Sequence, residues 1–304
     1  MNESQPILIV GAAGQVGLEL QRAFAGYGPI LAVDRESIDL ADAGQIRELV
    51  RSTKPRMILN AAAYTAVDRA ESEPALAHAI NADAPGILAD EARRLDALFV
   101  HYSTDYVFDG SKKEPWNEED APNPMSVYGR TKLAGEEAVK NAGGRYLIFR
   151  TSWVYGPHGQ NFLFTMLRLA RERERLSVVD DQFGAPTTSI ELAQATRAVV
   201  GGLVGGKSGD GKQWAGLYHM TCSGETTWYG FARAIFERAG KLLAGKCPEI
   251  IPVATGEYPT PAKRPRNSVL SNAKLYERFG VRLAAWETAL DAVFQALEAN
   301  DGGV

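Results

Sequence analysis

The segment SVYGRTKLAGE, residues 126–136, contains a tyrosine and a lysine four positions apart. In a helix, Tyr128 and Lys132 would lie on the same face about one turn from each other. A phenol can protonate the oxygen of a carbonyl that is being reduced, and a nearby ammonium lowers the phenol's pKa from its usual value of about 10. The spacing also arises by chance, with a lysine that packs its stem and solvates its tip. The rest of the sequence must decide between these interpretations.

A second group of polar side chains follows an apolar run. The run ALFVHYST, residues 97–104, is typical of a buried strand, and Ser103, Thr104 and Asp105 come at its end. Ligands of open α/β folds bind at the carboxyl ends of the strands, so these side chains are candidates for a site. The alternative is a Ser-Thr-Asp turn with no further role.

The glycine-rich stretch GAAGQVG, residues 11–17, follows the first apolar run and precedes a helical pattern. Gly11, Gly14 and Gly17 would allow a sharp turn and a close approach to a pyrophosphate, whose charge the N–H groups of the following helix stabilise. Chance loops and close helix packing also use glycine. The order of strand, turn and helix nevertheless favours a dinucleotide-binding loop.

An acidic residue at the end of the second apolar run bears on the choice of cofactor. Asp34 stands where a carboxylate accepts from the adenosine ribose 2′-hydroxyl and repels a 2′-phosphate, which favours NADH. The neighbouring Arg35 would offset that repulsion and admit NADPH, so both cofactors stay open. The residues expected to contact the cofactor are Gly11, Gly14, Gln15, Val16, Gly17, Asp34, Arg35, Asp39, Leu40, Ala63, Tyr64, Thr65, Tyr128 and Lys132.

Five apolar runs alternate with amphipathic stretches in the first half of the chain: PILIV, GPILAVD, RMILNAAA, ALFVHYST and RYLIFRTS. This alternation indicates an α/β fold built on a doubly wound parallel (Rossmann) sheet. We expect a dinucleotide-binding domain over residues 1–150 and a smaller, mainly substrate-binding domain over 151–304 that returns some segments to the sheet. The second part contains a predicted glycine-rich loop at 201–216, a proline-rich loop at 253–270 and a last helix at 286–300.

The composition excludes several classes of protein. The 304 residues are 45% hydrophobic with a formal net charge of −4, which provides no basic stripe for nucleic acid. The two cysteines, Cys222 and Cys247, are too few for a disulfide framework and suit a reducing compartment. No apolar stretch approaches the roughly 20 residues that span a bilayer, so we expect a cytoplasmic protein.

The segments GAAGQVG, STDYVFDG and YGRTKLAGE occur in this order and resemble those of extended short-chain dehydrogenase/reductases. The resemblance narrows, nearly end to end, to the dTDP-4-dehydrorhamnose reductase family in the segments NAAAYTAVDRAESEP, HYSTDYVFDG, VYGRTKLAGE, FRTSWVYG, LSVVDDQFGAPT and YPTPAKRPRNSVL. It implies reduction of the 4-keto group of dTDP-4-dehydro-L-rhamnose to dTDP-L-rhamnose with NADPH or NADH. That is the last step in making an activated sugar for bacterial surface polysaccharides.

The same resemblance implies roles for individual residues. Tyr128 would be the proton donor, and Lys132 would support its charge and bind the nicotinamide ribose. Thr104 would polarise the carbonyl or tune Tyr128; it stands where the wider family usually has serine, a difference also found in this subgroup. Asp105 and Trp153 would contact the sugar, although position alone slightly favours Trp153 as a core residue.

Other residues are expected around the nucleotide. Arg264 and Arg266 lie in the proline-rich segment, and guanidinium groups suit a diphosphate; on chemistry alone they could equally be solvated. The resemblance favours a binding role, above all for Arg264. Gly184 and Pro186 are expected to shape a loop near the nucleotide.

The resemblance also raises the question of whether a divalent cation such as Mg²⁺ binds at a contact between two copies of the chain. Glu19, Glu191 and Glu287 fall at the matching places. Glutamates in helices are usually solvated or paired with a cation, so no metal site is expected. A homodimer stays open.

Two alternative functions stay open beside the reductase. One is a regulatory subunit that keeps the cofactor pocket without turnover, since the regulatory subunit of methionine adenosyltransferase resembles this family. The other is reduction or epimerisation of a different nucleotide-linked 4-keto sugar. The presence of Thr104, Tyr128 and Lys132 together favours an enzyme.

Overall fold

The computed structural model describes residues 4–204, 214–240, 242–243, 245 and 247–301. The strands of these residues are, in chain order, β1 (Ile7–Val10), β2 (Ile30–Val33), β3 (Met57–Asn60), β4 (Leu98–Thr104), β5 (Arg145–Thr151), β6 (Val154–Tyr155), β7 (Arg175–Val179), β8 (Phe183–Gly184), β9 (Thr187–Thr188), β10 (Gly216–His219), β11 (Thr226–Thr227) and β12 (Glu249–Val253).

The α-helices of the same residues are α1 (Gln15–Phe24), α2 (Ala43–Thr53), α3 (Val67–Ala70), α4 (Pro74–His78), α5 (Ala84–Arg94), α6 (Val127–Ala142), α7 (Phe162–Glu172), α8 (Ser189–Val204), α9 (Trp228–Arg238), α10 (Ala273–Phe279) and α11 (Trp286–Asp301). A π-helical turn, Ala79–Asp83, joins α4 to α5, and short 3₁₀ turns lie at Asp105–Val107 and Thr255–Glu257. Within the described residues, no helix has the length and apolar composition needed to cross a membrane.

A central sheet of six strands organises the fold, in the order β2-β1-β3-β4-β5-β10. Every neighbouring pair in it is parallel. The chain passes from β1 to β2 on one side and then crosses to β3 on the other side of β1, so the direction of winding reverses between β1 and β3. This reversal is where open α/β folds bind ligands. The predicted α/β class with a parallel sheet is confirmed.

Successive residues of the central strands face opposite sides of the sheet. Ile7 and Ile9 pack against helices α1 and α8, whereas Leu8 and Val10 pack against α2 and α5. Because both faces are covered, the strands are continuously apolar in sequence. A separate core cluster lies between α7, α9 and α11 in the C-terminal half.

The C-terminal half contributes both to the sheet and to a second layer of structure. Strand β10 extends the central sheet next to β5, while β6 pairs with β9, β7 with β12 and β8 with β11. The loop predicted at 201–216 is wrong at both ends, because Gly201–Val204 continue α8 and Gly216 begins β10. Residues 205–213 of that prediction lie outside the described part of the chain. The predicted last helix is confirmed as α11.

The proline-rich segment 253–270 is irregular, apart from Val253 at the end of β12 and one 3₁₀ turn, as predicted. Backbone hydrogen bonds attach its last residues to the rest of the protein. The Trp116 N–H donates to the Val269 carbonyl over 2.8 Å, and the Phe183 N–H donates to the Arg266 carbonyl over 2.8 Å. These contacts hold the segment over the carboxyl edge of the sheet.

A buried ion pair anchors α6 to the sheet. Glu136 on α6 accepts from Arg150 on β5 at both carboxylate oxygens, over 2.8 and 2.7 Å, and the Ser103 hydroxyl donates to the same carboxylate over 2.5 Å. The side chains of Glu136 and Arg150 are 0% and 2% exposed. Their separation would leave a charge in the protein interior, so the pair fixes the position of α6.

We expect Glu136→Gln to lower the free energy of unfolding by about 3 kcal/mol or more, because it leaves the Arg150 charge buried without its partner. The neighbouring Glu137→Gln is the control, since Glu137 pairs with Lys140 over 2.9 Å at the surface. That change should stay within about 0.5 kcal/mol. Urea denaturation followed by circular dichroism measures both, and equal effects would contradict the anchoring role.

Candidate active site

The glycine turn lies at the reversal point of the sheet. Gly11 has φ +83°, and a Cβ placed there would lie 2.6 Å from the Ala62 nitrogen, just beyond β3. A Cβ at Gly17 would lie 2.1 Å from the Gly11 carbonyl oxygen. The Gly11 N–H donates to the Val33 carbonyl at the end of β2 over 2.9 Å. The turn therefore packs against the ends of β2 and β3, and only glycine fits at these two positions.

The first turn of α1 is prepared for an anion. Helices α2, α6, α7 and α9 begin with a side chain that accepts from their first N–H groups: Asp42, Ser126, Asn161 and Thr227. Helix α1 begins at Gly14 without such a cap, so the N–H groups of Gln15, Val16 and Gly17 receive no capping oxygen from Gly14. This arrangement fits the pyrophosphate of a dinucleotide. The Gln15 side chain is engaged by Asn161, which donates to it over 2.9 Å.

Asp34 directly follows β2, one strand from the glycine turn. Its Oδ1 atom accepts from the Glu36 N–H over 3.0 Å and from the Ser37 hydroxyl over 3.3 Å, which fixes the carboxylate at the strand end. Arg35 next to it is exposed. Further along, Asp39 accepts from the Ala41 N–H over 2.9 Å in the turn that leads to α2, and Leu40 packs against the core below.

The segment Ala63, Tyr64 and Thr65 leaves the end of β3 and is held by a side chain from the π-helical turn. Asn81, which is fully buried, accepts from the Tyr64 N–H over 2.8 Å and donates to the Tyr64 carbonyl over 3.1 Å. The same amide donates to the Thr131 hydroxyl on α6 over 3.2 Å. Asn81 thus ties the middle of the inferred cofactor path to the helix that carries Tyr128.

Thr104 and Asp105 form a buried hydrogen-bonded pair at the end of β4. The Thr104 hydroxyl donates to Asp105 Oδ1 over 2.9 Å and accepts from the Tyr106 N–H over 3.2 Å. Burial raises the pKa of Asp105 to about 6, although hydrogen bonds from Ser268 and Thr104 lower it. Its Oδ2 atom is buried and has no hydrogen-bond partner among the described residues. A buried carboxylate oxygen with unused capacity is suited to a hydroxyl of a bound ligand.

Tyr128 is the second residue of α6, and its phenol lies near the hydroxyl of Thr104. The Tyr106 ring packs edge-on against the Tyr128 ring, with their centroids 5.6 Å apart. Burial raises the pKa of Tyr128 to about 12; the nearby Thr104 hydroxyl lowers it and the charge of Asp105 raises it. In the protein alone, the expectation that Lys132 lowers the pKa of this phenol below its usual value is wrong, because burial outweighs every other contribution.

Lys132 is only 1% exposed and its ammonium is directed at β4. The Nζ atom donates to the Tyr102 carbonyl over 2.6 Å and lies 3.3 Å from Nε2 of His101. Burial lowers the pKa of Lys132 to about 8, while the charge of Glu136 raises it. The lysine can therefore change its charge near neutral pH.

Trp153 follows β5 in a left-handed conformation, with φ +48°. Its indole stacks on that of Trp228, with the centroids 3.6 Å apart and the planes 9° from parallel. The other close contact is Gly184, where a Cβ would lie 2.4 Å from the ring. Because Thr151 at the end of β5 pairs with Thr104, the tryptophan stands two residues beyond the same sheet edge. It is half-buried and forms part of an aromatic wall.

The two arginines of the proline-rich segment differ. Arg264 is half-buried and donates to both oxygens of Asp68 on α3, over 2.8 and 3.3 Å, and its guanidinium lies near Tyr106. Arg266 is exposed. The structure thus brings Arg264, but not the guanidinium of Arg266, into contact with the group that surrounds Tyr128.

The three glutamates considered for a metal have other surroundings. Glu19 accepts from Arg22 over 2.7 Å and lies 3.4 Å from His158. Glu191 accepts from the Ala284 N–H over 2.9 Å, and Glu287 is exposed at the start of α11. In the part of the chain that the structure describes, no three His, Cys, Asp or Glu side chains converge on a metal position.

Several contributors to this site were not predicted from the sequence: Asp68, Asn81, His101, Tyr106 and Trp228. Tyr106 carried a signal, since it directly follows Thr104 and Asp105 in the segment STDYVFDG. The others act through partners distant in the sequence, and no local pattern identifies such pairs.

Comparison with known proteins places these observations in a family context. A family model described as RmlD substrate binding domain matches residues 5–299. The chain is 47% identical to a dTDP-4-dehydrorhamnose reductase of Burkholderia thailandensis over 288 residues, which cover 93% of this chain and 96% of the relative.

Solved structures agree with the sequence comparison. A dTDP-4-dehydrorhamnose reductase of Clostridium acetobutylicum superposes with a TM-score of 0.88 at 38% identity, covering 96% of this chain and 99% of that one. A dTDP-4-dehydrorhamnose reductase of Bacillus anthracis, solved in complex with NADP, has a TM-score of 0.86 at 35% identity, with coverages of 96% and 99%. The similarity thus extends over nearly the whole fold.

The raised pKa of Asp105 predicts a pH-dependent stability. An aspartate whose pKa rises from 3.8 to about 6 on folding binds protons more tightly in the native state, so its ionisation destabilises the fold increasingly between those values. Asp105→Asn should therefore raise the free energy of unfolding by about 3 kcal/mol at pH 8, and by about 2 kcal/mol less at pH 4.5.

Asp109→Asn is the matched control for this titration. Hydrogen bonds from Ser111 and Asn123 hold the pKa of Asp109 below its usual value, so its carboxylate stabilises the fold above that range. Its replacement should give no gain in stability at pH 8. Urea denaturation at the two pH values tests both variants, and a pH-independent effect of Asp105→Asn would refute the burial of its charge.

Proposed function

We propose that this chain reduces the 4-keto group of dTDP-4-dehydro-L-rhamnose to dTDP-L-rhamnose with NADPH or NADH. The proposal starts from the family: the chain belongs to the dTDP-4-dehydrorhamnose reductases. One observation carries the assignment to this chain's own residues. The Tyr128 phenol lies near Thr104 at the carboxyl edge of β4, with buried Lys132 one turn along the same helix. This is the arrangement that protonation of a reduced carbonyl requires.

The residues around the reversal point of the sheet fit a nicotinamide dinucleotide. The uncapped N–H groups of α1 would hold the pyrophosphate, and Asp34 would accept from the adenosine ribose. Asp39 and Leu40 would lie at the adenine, and the segment Ala63, Tyr64 and Thr65 would pass along the middle of the cofactor. When bound, the dihydronicotinamide supplies the hydride.

Tyr128 holds the proton that the reaction consumes. With a pKa of about 12, its phenol is protonated throughout the neutral range. As the carbonyl oxygen gains negative charge during reduction, it becomes a stronger base than it was in the carbonyl group. It then takes this proton from Tyr128. Thr104 lies near the phenol and donates its one hydroxyl proton to Asp105; it would donate to the substrate oxygen only after turning away from Asp105. Lys132 binds the nicotinamide ribose through its ammonium.

The substrate contacts come from both halves of the chain. Asp105 offers its unused carboxylate oxygen to a sugar hydroxyl, and the Trp153–Trp228 stack provides an apolar wall for the sugar face. Arg264 would bind the diphosphate, for which it must leave or share its ion pair with Asp68. We propose residues 151–304 as the mainly substrate-binding part, apart from β5, α8, β10 and α10, which belong to the Rossmann layers.

The biological setting follows from the same proposal. The product is an activated sugar for polysaccharide synthesis, and the enzyme acts in the cytoplasm, where nucleotide sugars are made. The assay that tests the function supplies dTDP-4-dehydro-L-rhamnose with NADPH or NADH and follows the loss of nicotinamide absorbance. No turnover of this substrate with either cofactor would overturn the proposal. Turnover of another nucleotide-linked 4-keto sugar instead would identify the alternative reductase.

We expect Tyr128→Phe to lower kcat by about 10²- to 10⁴-fold while cofactor affinity changes little, because only the proton donor is removed. Tyr102→Phe is the matched control. Its hydroxyl is bonded to Thr196 at 2.6 Å, so that variant should lose stability and keep kcat. An unchanged kcat in Tyr128→Phe would reassign the acid. The two kcat values, with cofactor affinity from fluorescence titration, decide the matter.

We expect Asp34→Ala to shift the preference toward NADPH, because it removes the carboxylate that repels a 2′-phosphate. Arg35→Ala should shift it the opposite way, since it removes the neighbouring positive charge. The ratio of kcat/KM values for the two cofactors measures each shift. If neither ratio moves, the residues after β2 do not contact the ribose.

A further inference from the structure

We propose that a buried Asn60–His101 pair fixes the imidazole tautomer whose Nε2–H faces Lys132, and that His101 thereby positions this lysine and favours its neutral form. The proposal goes beyond the proposed function and relies on it only for the role of Lys132 in turnover. It makes His101 a positioning residue, since it acts through Lys132.

The three residues form a continuous buried chain across adjacent elements. Asn60 ends β3 and is the register partner of His101 on β4. Asn60 Nδ2 lies 3.1 Å from His101 Nδ1, and His101 Nε2 lies 3.3 Å from Lys132 Nζ. Asn60, His101 and Lys132 are 2%, 0% and 1% exposed. Solvent therefore does not compete for these hydrogen bonds.

The backbone determines the direction of the chain. The Ala62 N–H can only donate, and it donates to Asn60 Oδ1 over 3.2 Å. The amide nitrogen of Asn60 must then face His101 and donate to Nδ1. A neutral imidazole carries one proton, which is left for Nε2. Burial and the charge of Lys132 lower the pKa of His101 well below its usual range, so the ring stays neutral.

This tautomer has a consequence for the lysine. A neutral amine has a lone pair that can accept from the Nε2–H group, whereas an ammonium has none. His101 therefore stabilises the neutral form of Lys132, in the same direction as burial. On its own helix the lysine lies between Tyr128 and Glu136; Glu136 raises the pKa of Lys132 and is itself paired with Arg150 on β5.

The tautomer can be observed without turnover or cofactor. In the ¹⁵N-histidine-labelled full chain, long-range ¹H–¹⁵N spectra should show His101 protonated at Nε2 and unprotonated at Nδ1, unchanged from pH 6 to pH 9. His219 is an internal reference of opposite tautomer, because it is also buried and its Nδ1 donates to the Trp116 carbonyl over 3.1 Å. His219→Gln identifies the reference signal. A proton on Nδ1 of His101, or an imidazolium, overturns the proposal.

Asn60→Asp reverses the chain with a side chain of the same shape. The carboxylate still accepts from Ala62 and now also accepts from His101, which moves the imidazole proton to Nδ1 and turns Nε2 into an acceptor for the ammonium. The His101 signals should switch to the pattern of His219. The alkaline pH at which kcat falls should rise by about one pH unit or more.

A double variant separates the tautomer from the added negative charge. Asn60→Asp combined with His101→Phe keeps the carboxylate and removes the imidazole, so the shift of the alkaline limb should be smaller than in Asn60→Asp alone. An equal shift shows that His101 transmits nothing and overturns the proposal. If the wild-type protein does not reduce the nucleotide sugar at all, the proposed function fails, while the tautomer measurement still decides this inference.

Discussion

The site depends on one constraint, the close packing of α6 against the sheet and the turn after β4. Two glycines of the helix permit it: a Cβ at Gly129 would lie 2.2 Å from the Tyr106 carbonyl oxygen, and one at Gly135 would lie 2.1 Å from that of Asn81. The Glu136–Arg150 pair fixes the helix along its axis. Because the helix is held in this way, Tyr128 and Lys132, at positions i and i+4, keep fixed positions relative to Thr104 on β4.

Burial is the second consequence of this packing and sets the protonation states of the site. It raises the pKa of Tyr128 to about 12 and that of Asp105 to about 6, and it lowers that of Lys132 to about 8. All three changes disfavour the charged form. This favours proton delivery by a tyrosine, because the side chain is then protonated, in its phenol form, before the reaction. A bound cationic nicotinamide would add positive charge and favour the phenolate only after hydride transfer has made the oxidised form.

The sequence predicted those parts of the structure that local patterns encode. The apolar runs located β1 to β5. The glycine turn and the helix with Tyr128 and Lys132 were also placed correctly, and the convergence of these elements followed from the parallel topology. The addition of β10 to the sheet was expected only in general terms, because strand and helix patterns no longer alternate cleanly after about residue 150. The direction of the pKa change at Tyr128 was wrong for the protein alone, because burial of a side chain depends on tertiary packing that local patterns do not encode. The Asp68–Arg264 pair could not be predicted from local patterns either, because its residues are 196 positions apart in the sequence.

The links between the two halves explain why substrate and cofactor residues can act together. Arg264 reaches back to Asp68 on α3, and Asn161 before α7 donates to Gln15 at the start of α1. Asn161 thus caps its own helix while it contacts the helix that would receive the pyrophosphate. In the proposed function a diphosphate would compete with Asp68 for Arg264, so substrate binding would act on a contact that joins the halves. The backbone hydrogen bonds of the proline-rich segment to Trp116 and Phe183 do not involve the Arg264 side chain, so they would remain in place when that side chain changes partner.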